Sequence, residues 1–307
     1  MTESIRQVKN RYPKACLQCL FCIILSIIMI YYSHDMKIGV TRGLALSVNK
    51  ILPTLFPFFI LSDVWDSLYV INENSIFCRI FSKVFHLNSS GIYAFIVGGV
   101  CGFPLGVKSA VDSYDRGKIS LDEMITLCGF CNNPSAAFVI SGIGLGLFSN
   151  IKIGILLYLF VIISAIVTGF MFRPSRQYSS YQPVISKQSF SIVQSIKKAA
   201  DTSITVCSFI TFFSAVIYLL KIFIKSDITI SFISPLIEIS SAVEIITGSQ
   251  LFSKKISMFL IGFALGFSGL SVHLQALCLM PKNANASKYF LMKIIQGLIC
   301  ACLCLMI

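Results

Sequence analysis

Apolar runs alternate with short basic segments along this chain, and several of the runs are interrupted by glycine, proline or asparagine. They lie at 17–32, 51–71, 93–107, 124–148, 151–172, 199–224, 256–279 and 289–307, with a shorter, more polar piece at 231–248. The stretch that organises them is 98–148, GGVCGFPLGVKSAVDSYDRGKISLDEMITLCGFCNNPSAAFVISGIGLGLF. Its first run is broken by Gly98, Gly99, Gly102, Pro104 and Gly106, and its second by Asn132, Asn133 and Pro134. Freed carbonyls and amides cannot face hydrocarbon, so such breaks belong where backbone packs in protein or lines a wet cavity. Broken helices of this kind form binding sites in transporters.

Taken in order, Arg6, Lys9, Arg11 and Lys14 precede the run 17–32, which ends without a small-residue cleavage site. A retained anchor with a cytoplasmic N-terminus is expected. Residues 36–50 read as a mixed amphipathic piece on the outer side, and 51–71 as a return through the bilayer carrying Asp63 and Asp66. Arg79, Lys83 and His86 sit on an amphipathic pattern that predicts an interfacial cytoplasmic helix, with His86 solvated at headgroup level. The run 93–107 is short for a crossing of about 20 residues and has positive charge on both sides, which predicts a re-entrant hairpin or a half-helix pair turning at CGFPLG. Ser120, followed three residues later by Glu123, is a capping box that starts the next helix. The connector 173–198 lies inside, 199–224 leaves again, 256–279 is broken at Gly262, Gly266 and Gly269, and 289–307 is the last helix.

GVCGFPLGVKS, from Gly99, matches GFSGLSVHLQA, from Gly266, at one constant offset. Gly99 pairs with Gly266, Cys101 with Ser268, Gly102 with Gly269 and Pro104 with Ser271. The flanking charges send the first copy inward and the second outward, the sign of an inverted repeat with a site near the midplane. The expected architecture is an all-α polytopic membrane bundle with two inverted repeats and broken, re-entrant helices. Its parts are an anchor at 1–35, a first repeat at 36–172, a cytoplasmic connector at 173–198 and a second repeat at 199–307.

Composition narrows the class. With 56% hydrophobic and 12% charged residues and a mean hydropathy of +0.83, the chain is too apolar for an ordinary soluble domain. The net charge of +12 sits between the apolar runs rather than along one face, so it reports membrane orientation and not nucleic-acid binding. Most of the 12 cysteines fall inside apolar runs, where they act as small hydrophobes, and no disulfide framework is expected. Cys16, Cys19 and Cys22 have iron–sulfur-like spacing without the fourth Cys or following proline, and read as chance residues of a membrane helix.

No metal or nucleophile constellation supports an enzyme. The three histidines are far apart, the Cys128–Cys131 pair lacks a βαβ context, and the glycine-rich loop lacks the Walker lysine. No cofactor or metal is expected. Candidate ligand-binding groups cluster at the breaks. Gly102 and Pro104 mark the first. Asn132, Asn133 and Ser135 bring amides and a hydroxyl to free backbone amides, which suits a ligand's polar edge, although capping the broken helix would use the same groups. Ser268 and Ser271 belong to the last break, and His273 and Gln275 follow it as Lys108 follows the first. A cation near broken-helix ends favours an anion, unless Lys108 merely anchors at the interface. Glu238 and Glu244 flank Ser240 and Ser241 as coupling-ion or proton ligands. Six residues apart, they share a cavity only if the segment bends; the bland reading is an interfacial helix with wet acids.

LPTLFPFFILSDV, CGFPLGVKSAVD, NNPSAAFVISGIGLGLF, EISSAVEIITG and GFSGLSVHLQ followed by KYFLMKIIQGL resemble, in order and through nearly the whole chain, the YlbJ type of sporulation integral membrane protein, also called a stage V sporulation protein. That family lies in the nucleoside-recognition or Gate-domain group. The resemblance implies a fold similar to concentrative nucleoside transporters and a place in the outer forespore membrane. It also implies a role in moving dipicolinic acid from mother cell to forespore. The second motif departs from the first in carrying Ser271 where the first has Pro104. The leading expectation is a carrier of a small anionic metabolite working by alternating access. The alternative is a non-transporting scaffold for spore envelope or cortex assembly. Expected partners are the solute and the bilayer, with a second copy or other sporulation membrane proteins as candidate protein partners.

Overall fold

A computed structural model describes residues 19–20, 22–68, 75–175, 191–249 and 251–307, and every regular element among them is helical. The basic start, the side chain of Asp66 and most of the connector fall outside the described residues.

Helix α1 (Cys22–Tyr31) meets the next at 88°. Helix α2 (Ser33–Leu46) passes through a wide π turn, Ser47–Ile51, into α3 (Leu52–Leu68), and the backbone stays right-handed helical across both joins. The described part of the run 51–71 therefore prolongs, as far as Leu68, a helix begun at Ser33 and is not a fresh crossing. Pro53 supplies the reason: in α register its ring meets the carbonyl four residues back, and a widened turn just before it relieves that clash. Gly39 and Gly43, one turn apart on α2, let it pack on α9 (Ile192–Phe223). A Cβ on either would lie 2.8 Å from the Ala215 Cα or 2.7 Å from the Thr211 Cα, the close approach that small residues permit between membrane helices.

The short α4 (Ile76–Phe85) is capped by Ser75, whose hydroxyl accepts the Cys78 N–H. Half-buried His86 follows it, with Nδ1 2.8 Å from the Pro174 carbonyl. Helices α5 (Ser89–Val100) and α6 (Leu105–Asp115) fold back side by side about residues 101–104. Helix α7 (Leu121–Cys131) opens on the capping box: the Ser120 N–H donates to Glu123 Oε2 at 2.8 Å, and the Glu123 N–H to Ser120 Oγ at 3.3 Å. It is interrupted at 132–135 and resumes as the π-wound segment Phe138–Leu145, before α8 (Ile151–Met171).

Beyond α9, helices α10 (Asp227–Ile237) and α11 (Ile239–Gly248) form a second hairpin. Helix α12 (Lys254–Phe267) then runs through a break at Ser268 into α13 (Gly269–Leu279), and α14 (Ala286–Cys304) ends the chain. Among the described residues four helices are long and apolar enough to cross a membrane: α8, α9, α12 with α13, and α14. The bent pair α1–α2 would make five.

Gly262 and Gly266 do not break their helix. They lie inside α12 against α14, where a Cβ at Gly266 would stand 2.7 Å from the Gln296 carbonyl. The interruption falls on Ser268 and Gly269 alone, both left-handed with φ of 80° and 71°. The element order thus runs twice through hairpin, interrupted helix and unbroken span. The constant offset seen in sequence pairs a hairpin tip with a helix interruption, so it does not match like with like.

Candidate functional site

Each hairpin tip rests on the interruption of the helix that follows it. At the first tip Gly102 is left-handed, with φ 81°, and the Phe103 N–H donates to the Asn133 carbonyl at 2.9 Å. Gly98 and Gly106 face the Cys131 carbonyl from the two arms, and a Cβ on either would run into it. At the second tip Glu238 is extended, ending α10 and starting α11. Its carboxylate accepts the Ser240 N–H at 2.9 Å and the Ser241 N–H at 2.7 Å. The neighbouring Ile237 carbonyl lies so close to Gly269 that a Cβ there would be 3.1 Å away.

The α7 interruption is stitched by its own side chains. Pro134 has no N–H to return to the Phe130 carbonyl, and the Asn133 amide donates there instead at 2.7 Å. Ser135 Oγ accepts the Phe138 N–H at 3.1 Å and starts the next segment. Asn133 and Ser135 therefore cap the broken helix. From α14, Gln296 donates to Asn133 Oδ1 at 2.6 Å, and Lys293 donates to the Asn132 carbonyl at 2.8 Å. The Asn132 amide donates to Tyr289 Oη at 2.9 Å, which lies 3.0 Å from His273 Nδ1. With the tyrosine proton turned to the ring, His273 Nε2 is left as a buried N–H without an acceptor.

In front of this network a narrow chamber opens where both tips and both interruptions meet. Its polar wall is Gly102, Ser135, Glu238, Ser240, Ser271 and Gln275. Ile51 and Leu55, with Val206 and Ile210 of α9 packed against them, line the rest of it with hydrocarbon. About 20 Å³ is open to water centres, room for about one ordered water. Helix N-termini carry partial positive charge. Glu238 neutralises that of α11, whereas α13 begins with no side-chain cap. Gln275, one turn on from Ser271, is 5% exposed and its Oε1 has no partner.

Of the residues singled out in sequence, Gly102, Ser135, Glu238, Ser240 and Ser271 line the chamber. Asn132, Asn133 and His273 stand behind it in the α14 network. Ser241 bonds Ser214 at 2.8 Å on the far side of the tip, and with Glu244 it lines a separate cavity beside Arg42 and Lys221. Pro104 is half-buried at the tip, Ser268 is buried with an unpaired hydroxyl, and Lys108 is exposed on α6. The two glutamates do not share a cavity, because Glu238 ends a hairpin arm and Glu244 points outward from α11. Sequence reasoning passed over Lys293, Gln296 and Tyr289. The available signal was Lys293 itself, the one charged residue between Tyr289 and Ile307.

The chain is similar to sporulation integral membrane protein YlbJ of Bacillus subtilis (strain 168), with 24% identity over 302 aligned residues that take in 84% of this chain and 74% of that protein. It is a distant homologue of an integral membrane protein of sporulation. No family model and no solved structure matches it. The homology and the long apolar helices together make this a membrane protein.

Proposed function

We propose that the chain is a carrier rather than an enzyme, and that its halves form an inverted repeat of Gate-domain type, similar in architecture to concentrative nucleoside transporters. The register is hairpin to hairpin and interrupted helix to interrupted helix. The solute is a small anionic aromatic metabolite, dipicolinic acid, carried from mother cell to forespore across the outer forespore membrane. The sporulation homologue supports the setting, and the chamber supports the mechanism.

The observation that carries this reading is Gln275, a buried side chain on the chamber wall whose amide oxygen has nothing to bond. Most polar groups in protein interiors are satisfied, and one left unpaired on a chamber wall is a group that a ligand can complete. The uncapped start of α13 suits a carboxylate, and the hydroxyls of Ser135, Ser240 and Ser271 suit the remaining polar edges. Glu238 is the acid of the chamber wall, so a proton taken up there accompanies an entering anion. Space for about one water admits no solute until the tips part, which is the gating step of alternating access.

The test is uptake of labelled dipicolinate by vesicles containing the purified protein. Wild type accumulates it. Gln275→Leu loses uptake yet melts at a higher temperature, because a buried unpaired acceptor has been replaced by hydrocarbon. Absence of uptake by wild type, or full uptake by Gln275→Leu, overturns the reading, and normal spores from the Gln275→Leu strain would favour a scaffold.

A further inference from the structure

Lys293 lies in the middle of α14 with none of its surface exposed. Among the described residues no carboxylate stands within ion-pair distance of it. Its Nζ donates instead to two neutral oxygens, the Asn132 carbonyl at 2.8 Å and Gln296 Oε1 at 2.8 Å. Gln296 in turn donates to Asn133 Oδ1 at 2.6 Å, so the lysine and the glutamine together clasp the end of α7 from the neighbouring helix.

The Asn132 carbonyl is one of those freed where α7 stops. The C-terminal end of a helix carries partial negative charge, and unwound carbonyls of this kind coordinate the coupling cation in transporters built from broken helices. A buried ammonium without a counter-ion persists only where fixed dipoles replace its hydration. The end of α7 and the amide oxygen of Gln296 are such dipoles. The packing of α14 leaves the lysine little freedom to withdraw: Gly129 of α7 is so close to Met292 that a Cβ would lie 2.5 Å from its sulfur, and Gly297 lies against Phe267.

We propose that Lys293 is the resident cation of the α7 interruption, its ammonium holding the position that a coupling metal ion takes at other broken helices, so that neither Na+ nor K+ binds there. The consequence for transport, solute uptake independent of a Na+ gradient, rests on the carrier reading above; the binding claim does not.

The experiment is thermal unfolding of the purified protein in detergent and a buffer free of small amines, with NaCl, KCl or methylammonium chloride exchanged for the bulky cation of N-methylglucamine chloride at constant ionic strength. The wild-type midpoint is the same in all four salts. Lys293→Ala melts several degrees lower in N-methylglucamine and recovers saturably with methylammonium, which refills the vacated cradle. Lys293→Gln, a neutral donor of similar reach, behaves like Lys293→Ala, because the charge and not the hydrogen bonds is what the helix end requires. A saturable rise of the wild-type midpoint with Na+ or K+ overturns the proposal. So does Lys293→Gln as stable as wild type, or a Lys293→Ala midpoint that no cation moves. Where neither variant folds, the wild-type titration decides. None of these readings involves a solute, so they stand apart from any failure of dipicolinate uptake.

Discussion

Asn133 ties two helices at once, and its removal has a calculable signature. Asn133→Ala strips the Phe130 carbonyl of the amide that replaces the missing Pro134 N–H, and strips Gln296 Nε2 of its acceptor. A buried group left unpaired costs about 1–3 kcal/mol, so two such groups set an upper range of about 2–6 kcal/mol. The lower part of that range wins in a membrane, where interhelical polar pairs average about 0.6 and reach about 1.7 kcal/mol because unfolded helices also find partners. The expected single-variant loss is therefore about 1–3 kcal/mol. The interhelical share is isolated by a cycle with Gln296→Leu, for which a coupling of about 0.6–1.7 kcal/mol is expected. Gln296→Leu also takes an acceptor from Lys293, but that loss is common to both backgrounds and cancels. The assay is equilibrium unfolding in mixed micelles titrated with dodecyl sulfate, followed by circular dichroism. Additivity of the two substitutions within about 0.3–0.5 kcal/mol would refute the coupling of α7 to α14 through this bond.

Three further outcomes follow from local geometry, each read as a shift in the same unfolding curve. Ser268 holds a left-handed φ of 80°, so Ser268→Gly raises stability by about 1 kcal/mol; a loss would mean that its buried hydroxyl bonds a group essential to the fold. Gly102→Ala meets the Ser135 N at 2.6 Å as well as backbone strain, whereas Gly117→Ala, at φ 67° with nothing near it, meets strain alone. The first is expected to cost several times the roughly 1–2 kcal/mol of the second, and equal costs would show that the tip is not packed on the interruption. Ser120→Ala removes the cap of α7 at a cost of about 1 kcal/mol, and Ser120→Asp restores it.

The parts of this fold that sequence revealed are those decided within a few residues. Ser120 and Glu123 close a capping box on each other. The hairpin at CGFPLG follows from an apolar run too short to cross between two basic flanks. Where one residue type serves two ends, sequence misleads. Glycine marks a break at Gly269 and a helix contact at Gly262 and Gly266, and only α14 packed alongside separates the two uses. Residues 36–50 and the run from Ile51 read as two separate pieces, with Pro53 near the start of the second, yet the widened turn joins them into one helix that continues to Leu68. Lys293 was visible as a lone charge in an apolar run. Its partner, the Asn132 carbonyl, is 161 residues away, and no local pattern points to a bond of that separation.

The location of the site follows from which polar atoms can satisfy themselves. Within hydrocarbon an unpaired backbone group is expensive enough that breaks survive only where other elements complete them. Phe130 is completed by Asn133, Asn133 by Phe103, Asn132 by Lys293, and the start of α11 by Glu238. Of the buried side-chain atoms still unpaired, most are serine or threonine hydroxyls, which on a helix can turn to the carbonyl one turn back. Asn132 Oδ1, His273 Nε2 and Gln275 Oε1 have no such recourse. Two of them lie on α13 and the third at the end of α7, so among the described residues the unpaired amide and imidazole groups collect at the two interruptions. Gln275 alone of the three opens on the chamber; Asn132 and His273 share Tyr289 behind it. On the carrier reading proposed above, a solute bonded to Gln275 would act on the helix that also carries His273, so a turn of α13 that improved the first contact would strain or release the second. On that reading, the link from chamber through α13 and His273 to Tyr289 of α14 and Asn132 would be the route by which occupancy of the chamber is felt at the end of α7.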